Sequence, residues 1–174
     1  LLGERLVAAN AACLREASSL IGGPQVRNVA TLGGNVAHAL PAADAAIALV
    51  ALDARAELAT PRGRQEVPIE TLFAGPGQVT FERAETIVIG FRIKRRQAGE
   101  GSGFRRVMRP QGVAIAILNM AVWVQIDANG KIAEAHIAVG PSGPRPVRAR
   151  LAEVALVGQR WDAIDHAPVV AALQ

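Results

Sequence analysis

The residues best suited to bind a charged ligand lie in one glycine-rich stretch, residues 22–35, with the sequence GGPQVRNVATLGGN. Glycine has no Cβ, so the backbone N–H groups of Gly33 and Gly34 can approach an oxyanion closely. A hydroxyl at Thr31 and a carboxamide at Asn35 flank this pair. The combination is typical of a phosphate-binding loop. A long connection whose glycines form turns has the same composition, so both interpretations remain open at this level.

Several familiar kinds of site are excluded. No Gly-Lys-Ser/Thr follows the glycines, which excludes a Walker loop, and no G-x-G-x-x-G opens a helix directly after a strand. We find no Ser-His-Asp or Cys-His arrangement, and no histidine stands in a metal-ligand spacing. The single cysteine, Cys13, excludes an intrachain disulfide and a cysteine-ligated cluster. The sequence therefore predicts no catalytic residue and no metal site, and it predicts Cys13 as a small core residue.

The composition narrows the class of protein further. The chain has 174 residues, 51% of them apolar, only 3% aromatic, and a formal charge of +4. Such a chain folds, and it has no apolar run near the roughly 20 residues that span a bilayer. Scarce aromatic residues argue against nucleic-acid binding. We expect a cytoplasmic protein without a signal peptide, and the missing initiator methionine indicates processing or a longer parent chain.

The elements that must position the glycine-rich stretch follow from periodicity and turn signals. A helix is predicted over residues 3–21 and another after Pro41, with Asp44 in its first turn. Next come a hairpin turning at residues 61–63, a short helix over 68–75 and a strand over 85–93. Beyond a glycine-rich linker, three strands are predicted over 103–109, 113–127 and 131–140, the last two joined by an Asn129-Gly130 turn. Helices over 148–158 and 166–174 end the chain. The order predicts an α+β fold with subdomains 1–97 and 98–174.

The stretch QVRNVATLGGNVAHALPAAD resembles the second flavin-binding segment of the FAD subunit of the xanthine dehydrogenase and carbon monoxide dehydrogenase family, the molybdenum hydroxylases. That segment follows the pattern Arg-Asn-x-x-Thr-hydrophobic-Gly-Gly-Asn-hydrophobic-Ala, then Pro-x-x-Asp. The matching positions are Arg27, Asn28, Thr31, Leu32, Gly33, Gly34, Asn35, Val36, Ala37, Pro41 and Asp44. The downstream stretches FAGPG, ETIVIGFRI and GFRRVMR are also similar to the family, so the resemblance covers nearly the whole chain.

The resemblance implies a fold and a set of contacts. The fold is the second subdomain of a PCMH-type FAD fold, followed by a small three-stranded sheet packed on C-terminal helices. Thr31, Leu32, Gly33, Gly34 and Asn35 would form the pyrophosphate segment, Leu32 through packing. Asp44 would contact the flavin nucleotide, and helix-start stabilisation is an alternative or additional role. The other implied cofactor contacts are apolar ones from Ile21 and Val88 and a cation near the flavin from Arg105.

The function implied by the resemblance is electron transfer. Such a subunit binds FAD, collects electrons from 2Fe-2S clusters in a small subunit, and serves a large subunit that carries the molybdenum cofactor. A hetero-oligomer is therefore expected. Family members place FAD between two segments, and the first, with an Ala-Gly-Gly type loop, does not occur in these 174 residues. We expect a longer chain or a neighbour to supply it. The alternative is a cofactor-free scaffold or a module that docks to partner subunits.

Overall fold

The computed structural model of the chain describes residues 3–109 and 114–173. The fold is α+β, as predicted. Five helices stand at the N-terminal end and two at the C-terminal end of this range. They are α1 (Arg5–Asn10), α2 (Ala12–Ser19), α3 (Pro24–Val29), α4 (Leu32–His38), α5 (Asp44–Ala51), α6 (Arg150–Leu156) and α7 (His166–Ala171). None of the helices in the described ranges is long and apolar enough to cross a membrane.

Within residues 3–109 and 114–173 the strands form three antiparallel sheets. The first has the order β2-β1-β5, the second pairs β3 with β4, and the third has the order β6-β7-β8-β9. Their bounds are β1 (Arg55–Thr60), β2 (Gly63–Pro68), β3 (Phe73–Gly75), β4 (Gln78–Val79), β5 (Ile87–Arg92), β6 (Glu100–Val107), β7 (Leu118–Ile126), β8 (Ile132–Gly140) and β9 (Val147–Arg148). The predicted three-stranded sheet is β6-β7-β8, and the two-residue β9 extends it by a fourth strand.

Helix α5 is the centre of the main hydrophobic core. All eight of its residues are buried, which matches a helix that is apolar on every side. It packs on β7 and β8 on one side and on α2 and α4 on others. Ala121 and Ala138, which face each other in register on β7 and β8, are fully buried in the same core. Their small side chains let the helix approach the sheet closely. The main core therefore contains residues from both predicted subdomains, 1–97 and 98–174.

The helix predicted over residues 3–21 is interrupted. Ala11, with φ −143° and ψ 62°, separates α1 from α2. The side chain of Asn10 donates from Nδ2 to the Leu6 carbonyl, 2.8 Å away, and accepts from the Arg96 N–H through Oδ1, 3.0 Å away. A side chain that binds local backbone in this way competes with helix continuation. The prediction of one continuous helix was wrong for this reason.

The glycine-rich stretch is not one long loop either. Pro24 occupies the first turn of α3, where its fixed φ and missing N–H are tolerated, and Thr31 is the N-cap of α4. Gly33 and Gly34 lie in the first turn of that helix. The interpretation as an extended break was wrong because these two helix-start signals outweigh the low helix propensity of the glycines.

Most other boundaries agree with the sequence to within a few residues. The helix predicted over 68–75 is only a 3-10 turn at Ile69–Leu72, because the next residues pair with β4 around a turn in which Gly77 has φ +68°. The strand predicted from residue 113 begins at Leu118; residue 113 itself lies outside the described residues. The Asn-Gly turn is confirmed: Gly130 has φ +74°, and the Asp127 carboxylate accepts N–H groups from Asn129 and Lys131.

A second, smaller core lies between α6 and β8. Here the Arg148 guanidinium binds both oxygens of Glu153 through Nε and Nη2, and the Ile137 N–H donates to Glu153 Oε1 from 2.8 Å. Burial raises the pKa of the Glu153 carboxyl, but Arg148 and the Ile137 N–H outweigh it, so the pKa lies below its ordinary value. This buried pair fastens α6 to the sheet.

Candidate functional site

The Thr-Leu-Gly-Gly motif forms the N-terminus of α4, with Thr31 as the N-cap residue. Thr31 Oγ1 accepts the N–H of Gly34 at 2.9 Å, which caps the helix. The first turn of a helix leaves its N–H groups without partners inside the helix. Since Thr31 takes that of Gly34, the N–H groups of Leu32 and Gly33 are the ones without a hydrogen-bond partner within the described residues. Thr31 is exposed, and its hydroxyl keeps a proton to donate.

Close contacts also favour glycine at both positions of the motif. A Cβ on Gly33 would stand 3.0 Å from the Val88 carbonyl oxygen, so the glycine lets α4 lie directly on β5. A Cβ on Gly34 would stand 3.0 Å from Thr31 Oγ1 and disturb the cap. Leu32 is half-buried and packs against the main core, as expected. The structure therefore brings Val88 against Gly33.

Arg27 and Asn35 hold this segment in place from its two sides. Arg27 Nη1 donates to the carbonyl oxygens of Ile21 and Gly22, at 3.0 and 2.7 Å, and so fixes the turn before α3. Asn35 Oδ1 accepts the N–H of Ala46 at 3.2 Å. Ala46 lies in the first turn of α5, whose own N-cap residue has no capping side chain. Asn35 therefore serves as the cap of the neighbouring helix and links α4 to α5.

A cavity of about 210 Å³ opens beside the start of α5. It contains three of the predicted site residues, Ile21, Asn35 and Asp44, together with His38 and one cation that was not predicted, Arg106. The remaining wall is apolar and includes Leu40, Ala42, Ala43, Ile115 and Ala116. Thr31, Gly33, Gly34, Val88 and Arg105 do not line it. The predicted residues thus fall into two neighbouring groups connected by Asn35.

Three polar side chains form a buried cluster behind this cavity. Asp44 accepts from Arg106 Nη1 through Oδ2 and from Asn119 Nδ2 through Oδ1, both at 2.6 Å. Arg106 and Asn119 face each other in register on β6 and β7. Burial raises the pKa of the Asp44 carboxyl above its ordinary value, against the opposing effects of Asn119 and Arg106. Within the described ranges, Arg106 Nε and Asn119 Oδ1 are buried without a hydrogen-bond partner.

Arg105, the predicted cation, lies elsewhere. Successive residues of a strand point to opposite faces of the sheet, so Arg105 and Arg106 cannot serve the same pocket. The Arg105 side chain is 85% exposed and stands 3.7 Å from Glu16, whereas that of Arg106 is 7% exposed. Neither Arg106 nor Asn119 was singled out from the sequence. Strand alternation and the lone polar residue in the apolar strand AILNMAVWV were the available signals.

The other reactive side chains have structural roles. Cys13 is fully buried on α2, as predicted, and burial raises the pKa of its thiol to about 11. His136 Nδ1 lies 3.1 Å from the Ala51 carbonyl oxygen, and its ring packs on Trp123. In residues 3–109 and 114–173, no group of three or more His, Cys, Asp or Glu residues could hold a metal ion.

Comparison with known families gives two matches that follow one another along the chain. Residues 1–93, more than half of the chain, match the family described as the FAD binding domain in molybdopterin dehydrogenase. Residues 102–174 match the CO dehydrogenase flavoprotein C-terminal domain.

Similar proteins are found both by sequence and by structure. The xanthine dehydrogenase FAD-binding subunit of Escherichia coli O157:H7 is 36% identical over 138 residues, which are 79% of this chain and 47% of that protein. The nicotinate dehydrogenase FAD-subunit of Eubacterium barkeri is 31% identical over 83% of this chain and 50% of its own length. A structure of carbon monoxide dehydrogenase from Hydrogenophaga pseudoflava superposes with a TM-score of 0.88 at 31% identity, covering 99% of this chain and 58% of that one. The chain thus spans about half the length of the curated relatives it matches.

Proposed function

The chain belongs to the family of FAD-binding domains of molybdopterin dehydrogenases, and from this premise we propose that it is part of the FAD-binding, electron-transfer subunit of a molybdenum-containing hydroxylase or dehydrogenase. Its proposed role is to accept electrons from 2Fe-2S clusters and pass them to an external acceptor. The proposed partners are a large subunit with the molybdenum cofactor and a small 2Fe-2S subunit. In this division of labour residues 1–97 supply one half of the flavin site and residues 98–174 form the C-terminal domain.

The residues at the start of α4 fit the pyrophosphate of FAD. The N–H groups of Leu32 and Gly33 and the Thr31 hydroxyl are three donors on the positive end of a helix, where phosphate oxygens are favoured. Gly34 spares the Thr31 hydroxyl a Cβ that would stand 3.0 Å away, and Gly33 lets α4 lie against Val88. We therefore assign this part of the site to the phosphates, with Asn35 holding α4 against α5.

The cavity beside α5 fits a different part of the same molecule. Its wall combines apolar side chains, Ile21 among them, with the Arg106 guanidinium, which is paired with Asp44. Apolar walls with a few placed polar groups are typical of sites for flat ring systems. FAD supplies the redox chemistry when bound, while this chain binds the cofactor, orients it and limits water. No acid or base from the chain is required for electron transfer.

The observation that carries the proposal is the match of residues 1–93 to the FAD-binding family, with its Thr-Leu-Gly-Gly motif at a capped helix start. The test is direct. The purified protein is scanned for the near-ultraviolet and blue bands of oxidised flavin, and any chromophore is released with acid and identified. Colourless protein is then titrated with FAD. Binding of FAD supports the proposal; a protein that remains colourless and binds no FAD is a scaffold or docking module instead.

A paired substitution tests the phosphate assignment. Thr31→Ala removes a donor and a helix cap, so we expect ADP and FAD both to bind about tenfold more weakly, since hydrogen bonds to charged groups contribute about 1.5–3 kcal/mol. Thr80→Ala is the matched control, because Thr80 is also exposed and also makes a hydrogen bond to backbone, to the Thr71 carbonyl. Equal affinities for both variants would contradict the assignment of Thr31.

A further inference from the structure

His136 lies between two hydrogen-bond acceptors. It stands on β8 next to the C-terminus of α5, and its side chain is 13% exposed. Nδ1 lies 3.1 Å from the carbonyl oxygen of Ala51, and Nε2 lies 2.9 Å from Oε1 of Glu134. A neutral imidazole has one N–H donor and one acceptor nitrogen, so it can donate to only one of these two oxygens.

The Ala51 carbonyl requires a donor. Ala51 is the last residue of α5 and is fully buried, and the last four carbonyl groups of a helix have no partner inside it. Among the described residues, His136 Nδ1 is the group that contacts the Ala51 oxygen. Because a buried carbonyl is rarely left without a partner, Nδ1 carries a proton. The other three carbonyls accept backbone N–H groups that follow the helix: Ala48 from Leu52, Leu49 from Ala54 and Val50 from Asp53.

The Glu134 carboxylate requires a donor as well. Its side chain is 56% exposed, so water stabilises the charge, and an ionised carboxylate can only accept hydrogen bonds. Nε2 of His136 faces it and therefore carries a second proton. The resulting positive charge is well placed at the C-terminal end of a helix, where cations are favoured. It also lies against the indole ring of Trp123, with the ring centroids 4.8 Å apart.

We propose that His136 is an imidazolium in the folded protein and that its two N–H groups form a pH-sensitive latch between the end of α5 and β8. Losing one proton leaves a nitrogen lone pair facing an oxygen, so one of the two contacts is lost. Histidine is the side chain whose charge changes between about pH 5 and 8. The latch therefore holds below the pH at which His136 loses a proton and weakens above it. The inference is independent of the proposed function, because the cavity beside Asp44 lies at the other end of α5.

Uncharged residues are the neighbours of His136 on its face of the sheet. Helix α6 packs on the opposite face of β8, and Arg148 on the edge strand β9 is bound to Glu153. Glu134 is thus the charged residue that pairs with His136 in the described part of the chain. The residues opposite His136 and Glu134 on β7, and the next one across on β6, are Trp123, Gln125 and Ser102.

Charged residues of the helices and of the linker on this face are exposed or bound elsewhere. They are Asp53 after α5, Arg15 and Glu16 of α2, and Arg96, which lines a second cavity with Trp123. Asp53 and Arg15 are exposed, whereas the other two bind backbone groups of β6. A difference in stability between wild-type protein and a His136 variant near neutral pH is therefore assigned to His136 itself.

Nitrogen NMR of isotope-labelled histidine measures the protonation state directly. The purified protein is titrated from about pH 5 to 8, and His136→Gln identifies the signals of His136 by their absence. We expect His136 to keep both ring protons to a higher pH than His166, which is exposed on α7. Loss of a proton from His136 at the same pH as from His166, or at a lower pH, would overturn the inference.

Urea unfolding measures what the latch contributes. Glutamine in His136→Gln can donate to one of the two oxygens but carries no charge. We expect the unfolding equilibrium constant of this variant, divided by that of wild-type protein, to fall about tenfold between about pH 5.5 and 8.5, the size expected for one charge-assisted hydrogen bond. His166→Gln is the matched control, and its ratio should stay constant over the same range.

A third variant separates the latch from ordinary packing of the ring. In Glu134→Gln the amide can donate to Nε2 of a neutral imidazole while Nδ1–H still donates to Ala51, so both contacts persist without the charge. The dependence on pH should then largely disappear. A ring that only fills space would give the same loss of stability in His136→Gln at every pH. That result, or an undiminished pH dependence in Glu134→Gln, would contradict the latch.

Discussion

Among the residues that the structure describes, two arginine–carboxylate pairs are buried, and their contacts differ. Arg148 and Glu153, between α6 and the sheet, form a two-point contact in which both carboxylate oxygens and the Ile137 N–H take part. Arg106 and Asp44, beside the cavity, are joined by one guanidinium nitrogen, and Arg106 Nε has no partner within the described part of the chain. Burial acts on both carboxyls, yet the pKa of Glu153 is lowered and that of Asp44 is raised.

We infer that the pair at Glu153 has a structural role and that the pair at Asp44 belongs to the proposed cofactor site. A buried ion pair is tolerated when every polar atom finds a partner, and Glu153 meets that condition. The pair at Asp44 does not, and it is the one that lines a cavity.

Removing the carboxylate charge should lower the free energy of unfolding by different amounts at the two pairs. Glu153→Gln leaves Arg148 uncompensated in a closed core, and breaking such a pair costs about 3–5 kcal/mol. Asp44→Asn removes a charge whose burial is unfavourable, as the raised pKa of this carboxyl indicates, so we expect a loss of about 1 kcal/mol or less. The free energy of unfolding from urea titrations measures both.

The control for these two variants is Glu70→Gln, which removes an exposed partner of Arg150. Exposed pairs contribute little, so its effect should stay below about 1 kcal/mol. A larger loss for Asp44→Asn than for Glu153→Gln would mean that the pair at the cavity is the main structural one, and the contrast would be reversed.

Sequence alone predicts much of this molecule but not the contrast between its two pairs. The hairpin at residues 61–63, the Asn129-Gly130 turn and the buried α5 follow from local signals, and the structure has all three. The glycine-rich segment was predicted as a loop because glycine content hides the cap at Thr31. Local patterns miss side-chain partners brought together over long distances.

Asp44 shows why the site was only partly predicted. Its position at a helix start is local and was predicted, but its partners Arg106 and Asn119 are 62 and 75 residues away along the chain. The choice between Arg105 and Arg106 depends on which face of β6 meets α5. Packing between the two predicted subdomains decides which face of β6 meets α5. Neither strand nor helix periodicity specifies this packing.

Exchanging each arginine for lysine gives a smaller test of the same contrast. Lysine keeps the charge but cannot reproduce a two-point contact. Arg148→Lys should therefore lose about 2 kcal/mol, because one of two charged hydrogen bonds to Glu153 disappears. Arg106→Lys should lose about 1 kcal/mol or less, because only one nitrogen contacts Asp44.

Thermal and urea unfolding of the two lysine variants, measured side by side, check this difference. Comparable losses would show that Arg106 is held by more than a single contact, and the contrast between the two pairs would then be wrong.

The pH dependence is the smallest expected effect and gives opposite signs for the two carboxyls. Glu153 has a folded pKa below its ordinary 4.5, so its contribution to stability is present above 4.5 and is lost as the pH falls through the folded pKa. Asp44 has a folded pKa above its ordinary 3.8, so its favourable contribution is present below 3.8 and is lost as the pH rises through the folded value. The stability of wild-type protein relative to Glu153→Gln should therefore rise with pH in the acid range, while that relative to Asp44→Asn should fall. If both differences rise, the hydrogen bonds from Arg106 and Asn119 outweigh the burial of the Asp44 carboxylate, and the contrast between the two carboxyls is wrong.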